Sequence, residues 1–576
     1  EFLALQVDDR SPERGQYAFV QALIREVAYG MLARPERKAR HLATARYFEA
    51  LGSDELAGAL AGHYLAAHAN AVDGPEREAL AGQARIALRA AGERAAALGA
   101  HGQALILFEQ ALEVASDPTD VAVLHERAGD SASLLQEADP AVAHYEAAIE
   151  RFAALGDRSA EARVATSHGR AQLTSYSFGP GLAYLTAAVE RLADLGDDPA
   201  YLRLQGQYAR AVWFNDHDRE AIVVTDGLLE AAERADLVDV VADTLITRGN
   251  AFQELGRRYE GLGLIDAGYR LAVVHGLHMT QARGLINIAS FSQDADPRRA
   301  LAAAQEGLAL QRRLGVRSFQ MMDNAFAAAM RVGDWDFVDE VLEPMLGDEV
   351  DPVIRCVALS DAVILAAARG DPTHELVAAI DAIPDRPDDV VKPTTSAWTR
   401  AVVAYASGDY ELARREYRTA GDLYSQGEAD AYLVAARAAL HAGNATAAAS
   451  DLARVDSLPR RGRAIDTDRL ILRSGIAALE GRPAEAIAGY RQALDAWRDL
   501  GLAWDEALLA LDMASFLDPA EPEVRAAADA GRAQMERLGA RRYLELLDMA
   551  MTRPRDPAVP PPAVVEEERH RARARE

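Results

Sequence analysis

The chain has 576 residues, 50% of them hydrophobic and 26% charged, with 41 glycines, 23 prolines and one cysteine, Cys356. That composition supports a folded core and excludes collagen-like, low-complexity and disordered classes, while a lone thiol excludes an internal disulfide or a CxxC metal motif. Lys+Arg number 62 against Asp+Glu 89, a net charge of −27 that disfavours direct nucleic-acid binding.

No apolar run reaches the ~18 residues of a membrane span; Val357–Ala368, for example, is interrupted by Ser360 and Asp361. Lysine occurs only at Lys38 and Lys392, an arginine bias expected of a GC-rich bacterial genome. The sequence opens on Glu-Phe-Leu-Ala-Leu and reads as a piece of a longer cytoplasmic protein.

Residues 1–80 fit no repeat. The apolar EFLALQV and the turn-rich DDRSPERGQ predict two short strands joined by a loop. Phe19, Leu23, Val27 and Leu32 then recur at helical spacing, and the segment reads as the end of a winged-helix module. YAFVQALIREVAY, residues 17–29, resembles the segment that joins AAA/STAND-type ATPases to helical repeats in large bacterial signalling proteins. That family often has His where this chain has Gln21. Many of its members carry a class III adenylate/guanylate cyclase domain ahead of the ATPase. The resemblance implies that ATP and Mg belong to upstream domains, with no cofactor in this chain.

From residue 81 a pattern recurs. Anchors stand at Ala104, Ala141, Gly181, Ala221, Gly261, Ala300, Val338, Glu375, Ala413, Ala448 and Ala486, in steps of 35 to 40 residues. Four residues on comes a large side chain, as at Phe108, Tyr145, Leu185, Ile265, Tyr417 and Tyr490; seven on, a small one, as at Ala111, Ala148 and Gly268. Those spacings put small, large and small on one helix face, so that a second helix can lie close. Twelve residues before the anchor a small residue marks the matching point on the first helix: Gly92, Gly129, Gly169, Ala209, Gly249, Ala401, Ala436. Five before it a glycine ends that first helix, as at Gly99, Gly256, Gly333, Gly370, Gly408, Gly443 and Gly481.

Each unit is thus a helix–turn–helix that buries its apolar face only by stacking on its neighbours. The pattern resembles the tetratricopeptide repeat, best at Leu88–Ser116, Trp398–Ala420 and Ile471–Leu494, and weakest over 300–382. The resemblance implies an all-α, tetratricopeptide-like superhelix (solenoid) of about 11–12 helix pairs over residues 81–551. Arg541–Met551 reads as a closing helix, and 552–576, rich in proline and mixed charge, as a disordered tail.

Motifs for chemistry are missing. Neither lysine stands in Gly-Lys-Ser/Thr, Gly261-Leu-Gly263 lacks its third glycine, and His125-Glu126 and His374-Glu375 lack a second zinc-site histidine. The thirteen histidines look scattered, with His275 and His278 the nearest pair. The expectation is a non-enzymatic regulatory, sensor and protein-interaction arm of a signalling ATPase or cyclase, with a stand-alone tetratricopeptide scaffold as the alternative.

In tetratricopeptide arrays the first helix of each pair lines the concave groove. The forty-residue step puts 163, 203 and 243 in one row and 170, 210 and 250 in another. Arg163, Arg170, Arg203, Arg210, Trp213 and Asn250 are therefore the candidate binding residues, suited to a protein, a peptide or a small anionic effector. The competing arrangement pairs these arginines with glutamates on neighbouring helices.

Overall fold

The computed structural model describes residues 3–5, 17–52, 54–135, 137–174, 177–316, 318–347, 350–385 and 390–552. The tail expected over 552–576 lies outside the described residues from 553 onward. The chain divides into two units, Glu1–Ala211 and Val212–Glu576.

Among the described residues there are 28 α-helices and one two-stranded antiparallel sheet. The strands are Leu3–Leu5 and Tyr17–Phe19, with Leu3 opposite Phe19. Among the described residues strand is therefore confined to the first twenty, and the fold is all-α as expected. The helix Ala22–Gly30 follows, and around it Tyr17, Leu23 and Met31 stay 71%, 70% and 82% exposed. Arg34–Leu51 and Ala57–Ala69 form a helix pair of their own, which packs on Pro75–Ala97.

From Pro75 to Leu538 the helices alternate as twelve pairs, closed by Arg541–Thr552. The physical basis is the one the spacing predicts. All seven glycines five residues before an anchor adopt positive φ, between 74° and 86°, where a side chain would be strained. The anchors are buried at every position except Glu375. A Cβ on Gly92 would lie 2.6 Å from Phe108 Cε1, and one on Gly129 2.8 Å from Tyr145 Cδ1, so only glycine permits this approach.

Where the pattern is weak, the second helices are short: Trp335–Leu342 and His374–Asp381 have eight residues each. Glu375 is exposed there, and Ile380 and Ile383 make the core contact instead, against Cys356 and Leu359.

Unit 2 coils until its late helices meet its early ones. Phe319–Val332 packs against Ala503–Phe516, and Pro352–Arg369 against Arg541–Thr552. The Ala464 N–H donates to the Asp294 carbonyl at 2.8 Å, and Arg542 Nε to the Ala406 carbonyl at 2.6 Å. Arg460 and Asp294 are 166 residues apart in sequence, and Arg331 and Asp505 174, so one turn of this coil takes between four and five repeats.

Candidate functional site

The sequence-predicted arginines of unit 1 sit on two first helices, Arg158–Thr174 and Pro199–Phe214. Arg163 forms an ion pair with the buried Glu126 of the preceding first helix, Pro118–Leu134, and lies over the Phe152 ring at 5.8 Å. Arg170 is exposed; its Nη2 donates to Ser167 Oγ at 3.3 Å, and its charge reaches Asp130. Arg203, also exposed, donates through Nη1 to the Pro199 carbonyl at 3.3 Å. Arg210 is half-buried.

In unit 1 a cleft of about 410 Å³ opens between Glu146, Glu150, Arg158, Glu161, Tyr184 and Arg191; Arg163 does not line it. Arg191 Nε donates to the buried Glu161 at 2.8 Å. His168 lies nearby, 1% exposed, its ring 3.9 Å from that of Tyr184; burial pulls its pKa down to about 4. The histidines that looked scattered include two close pairs in unit 1. His41 and His63 approach at 2.8 Å between Nδ1 atoms, and His125 and His144 at 3.0 Å. No third ligand completes either pair: among the described residues no three His, Cys, Asp or Glu side chains are grouped to hold a metal.

In unit 2, Trp213 is 6% exposed and stacks near Phe214. Asn250 is fully buried, and its Nδ2 donates to Asn287 Oδ1 at 2.9 Å. The predicted row continues beyond it in steps of 37 residues, through Asn287 and Asn324 to Asp361.

Sequence reasoning missed the ion pairs inside the coil of unit 2. Arg331 donates to Asp505 at 3.0 Å and to Asp468 at 3.3 Å. Arg460 clamps Asp294 through two nitrogens, at 2.9 and 2.5 Å, and reaches Asp430 at 2.8 Å. Asp512 takes Arg437 Nε at 2.8 Å and lies 2.9 Å from His441 Nε2. Burial opposes ionisation of Asp512, but these two partners outweigh it and hold the carboxyl below its usual range. Asp468 goes the other way: burial, with Asp505 alongside, pushes it up to about 6 despite Arg331. These arrangements bind and orient charge; none sets a nucleophile beside a base.

No family model matches the chain, and no curated protein matches it. Among solved structures, the chain is similar to the APC/C hetero-tetramer Cut9–Hcn1, at 14% identity and TM-score 0.35, over 81% of this chain and 96% of that one. Yeast Tom70 aligns at 13% identity and TM-score 0.31, over 79% and 96%. The human IFIT1 dimer with m7Gppp-AAAA aligns at 12% identity and TM-score 0.36, over 68% and 90%.

Proposed function

We propose that the chain is a non-catalytic interaction arm, the regulatory and sensor portion of a larger bacterial signalling ATPase or nucleotide cyclase acting in the cytoplasm. The observation that carries this reading is the succession of helix pairs described from Pro75 to Leu538, most of whose large apolar residues are buried in stacking. Arrays of this kind present an extended surface to a partner or effector. The exposed apolar side chains around residues 17–31 support a neighbouring domain that covers them.

Within unit 1, the arginines of the two first helices form the anion-binding face of this reading; Arg163, Arg170 and Arg203 are exposed, Arg163 being the one paired with Glu126. Changing Arg170 and Arg210 to Ala weakens an anionic effector about ten- to a hundredfold, the loss of charge-assisted hydrogen bonds. Inorganic pyrophosphate is the probe, with helical circular dichroism as the control; unchanged binding assigns these arginines to structure. Coding DNA in frame ahead of Glu1 separates the signalling arm from the stand-alone scaffold. A Gly-Lys-Ser/Thr phosphate loop there supports the arm, and an immediate start codon supports the scaffold. The purified chain turns over neither ATP nor GTP.

A further inference from the structure

The helix Ala22–Gly30 has no buried residue, so apolar packing does not hold it to the array. Polar contacts take that role, and they converge on Tyr29. Its hydroxyl lies 3.0 Å from Nε2 of His41, on Arg34–Leu51, and accepts from Asn70 Nδ2 at 3.3 Å. His41 in turn meets His63, on Ala57–Ala69, with 2.8 Å between the two Nδ1 atoms. Four side chains thus make one run of hydrogen bonds across three helices. Arg37 adds two bonds nearby, from Nε to the Leu32 carbonyl and from Nη2 to the Gly30 carbonyl, both at 2.9 Å.

Two facing Nδ1 atoms bond only when one carries a proton and the other a lone pair. With both imidazoles neutral every link is satisfied in one direction. Asn70 donates to the Tyr29 oxygen, the Tyr29 hydroxyl to His41 Nε2, and His41 Nδ1–H to His63 Nδ1. A single added proton still leaves a lone pair at one Nδ1. Two leave none: both Nδ1 atoms then carry hydrogen, two like charges face each other, and the run breaks at its centre.

The surroundings offer the pair no counter-charge. Arg34–Leu51 has two carboxylates, Glu36, bonded to Arg40 at 2.7 Å, and Glu49, which accepts from the Tyr64 hydroxyl at 2.6 Å. Ala57–Ala69 has none, and Pro75–Ala97, packed against it, sends Glu76 to Lys38 at 2.7 Å. Ala22–Gly30 carries Arg25 and Glu26, neither bonded to a histidine, and the Arg37 guanidinium stands 4.6 Å from the centre of the Tyr29 ring. Burial lowers the pKa of both histidines, and for His41 the charge of His63 lowers it further.

We propose that Tyr29, His41 and His63 form an acid-sensitive latch, which fastens the helix Ala22–Gly30 to the first helix pair at neutral pH and releases it when both imidazoles are protonated. Because the closed latch holds both histidines below their ordinary value of about 6.5, closure is complete above that pH and is lost as pH falls below it. The proposal goes beyond the interaction-arm reading. It concerns how the segment ahead of the array is held, and it stands or falls independently of pyrophosphate binding.

Hydrogen–deuterium exchange of the full chain at pH 7.5 and 5.5, corrected for the intrinsic pH dependence of exchange, is the test. In the wild type the amides of Ala22–Gly30 lose protection about three- to tenfold at pH 5.5, as for one or two hydrogen bonds, while those of Pro75–Ala97 keep theirs. Tyr29→Phe, at an exposed site, exchanges at pH 7.5 as the wild type does at pH 5.5 and has no pH response in this helix. His63→Phe does the same from the other end of the run, and either variant decides the matter if the other does not fold. Unchanged protection of Ala22–Gly30 at pH 5.5, a wild-type pH response in the folded variants, or an equal loss in Pro75–Ala97 overturns the proposal.

Discussion

A Cβ atom added to Gly169 would sit 2.4 Å from Leu185 Cδ2, sixteen residues along the chain on the partner helix of the same repeat. Gly169→Ala therefore overpacks the pair and destabilises by about 1–3 kcal/mol. Gly82, inside the helix Pro75–Ala97, has nothing within 4 Å of the same built position. Gly82→Ala stabilises by about 0.5–1 kcal/mol through helix propensity alone. Urea unfolding of the two variants reads the opposite signs.

That sixteen-residue relation was legible in the sequence, because helix pairing inside a repeat is local and its small and large positions recur. The glycine caps were legible for the same reason. The pairing of Arg331 with Asp505 was not. It depends on a small rotation per repeat, summed over more than four repeats, and no residue spacing reports that rotation. Asp361 was visible only as a break in the apolar run Val357–Ala368. A carboxylate inside such a run signals burial, and Asp361 is 4% exposed. Arg163 stood in the predicted row, and only packing showed that it meets Glu126.

Arg331 holds two carboxylates from helices later in the coil, and its side chain is 23% exposed. Arg331→Met leaves Asp468 and Asp505 facing each other without a cation. The expected cost is about 2–4 kcal/mol, somewhat below that of breaking a fully buried pair because of the residual exposure. Adding Asp468→Asn and Asp505→Asn recovers most of it. Calorimetric melting of the single and triple variants measures both steps.

The two units respond to pH with opposite sign. In unit 2, burial raises Asp218 to about 6, Glu254 to about 7 and Asp323 to about 6. Such groups hold their protons more tightly when folded. Their stabilisation is full below the unfolded pKa of ~4 and is lost as pH rises through 6 to 7. In unit 1, burial lowers His125 and His168 to about 4. Their contribution is present above the unfolded value of about 6.5 and is lost as pH falls toward 4. Acidification from pH 7.5 to 5 therefore raises the melting temperature of unit 2 and lowers that of unit 1. Scanning calorimetry shows this as two transitions moving apart or crossing, and Asp323→Asn/Asp361→Asn flattens only the unit 2 response.

The most direct test of a ligand-binding array is where a bound probe slows backbone exchange. Hydrogen–deuterium exchange of the full chain with saturating pyrophosphate should show protection concentrated in Arg158–Thr174 and Pro199–Phe214, the helices that carry Arg163, Arg170, Arg203 and Arg210. The helices from Val238 to Thr552 should exchange as they do without the probe. Protection spread evenly over the acidic surface of both units, or none anywhere, would contradict the account.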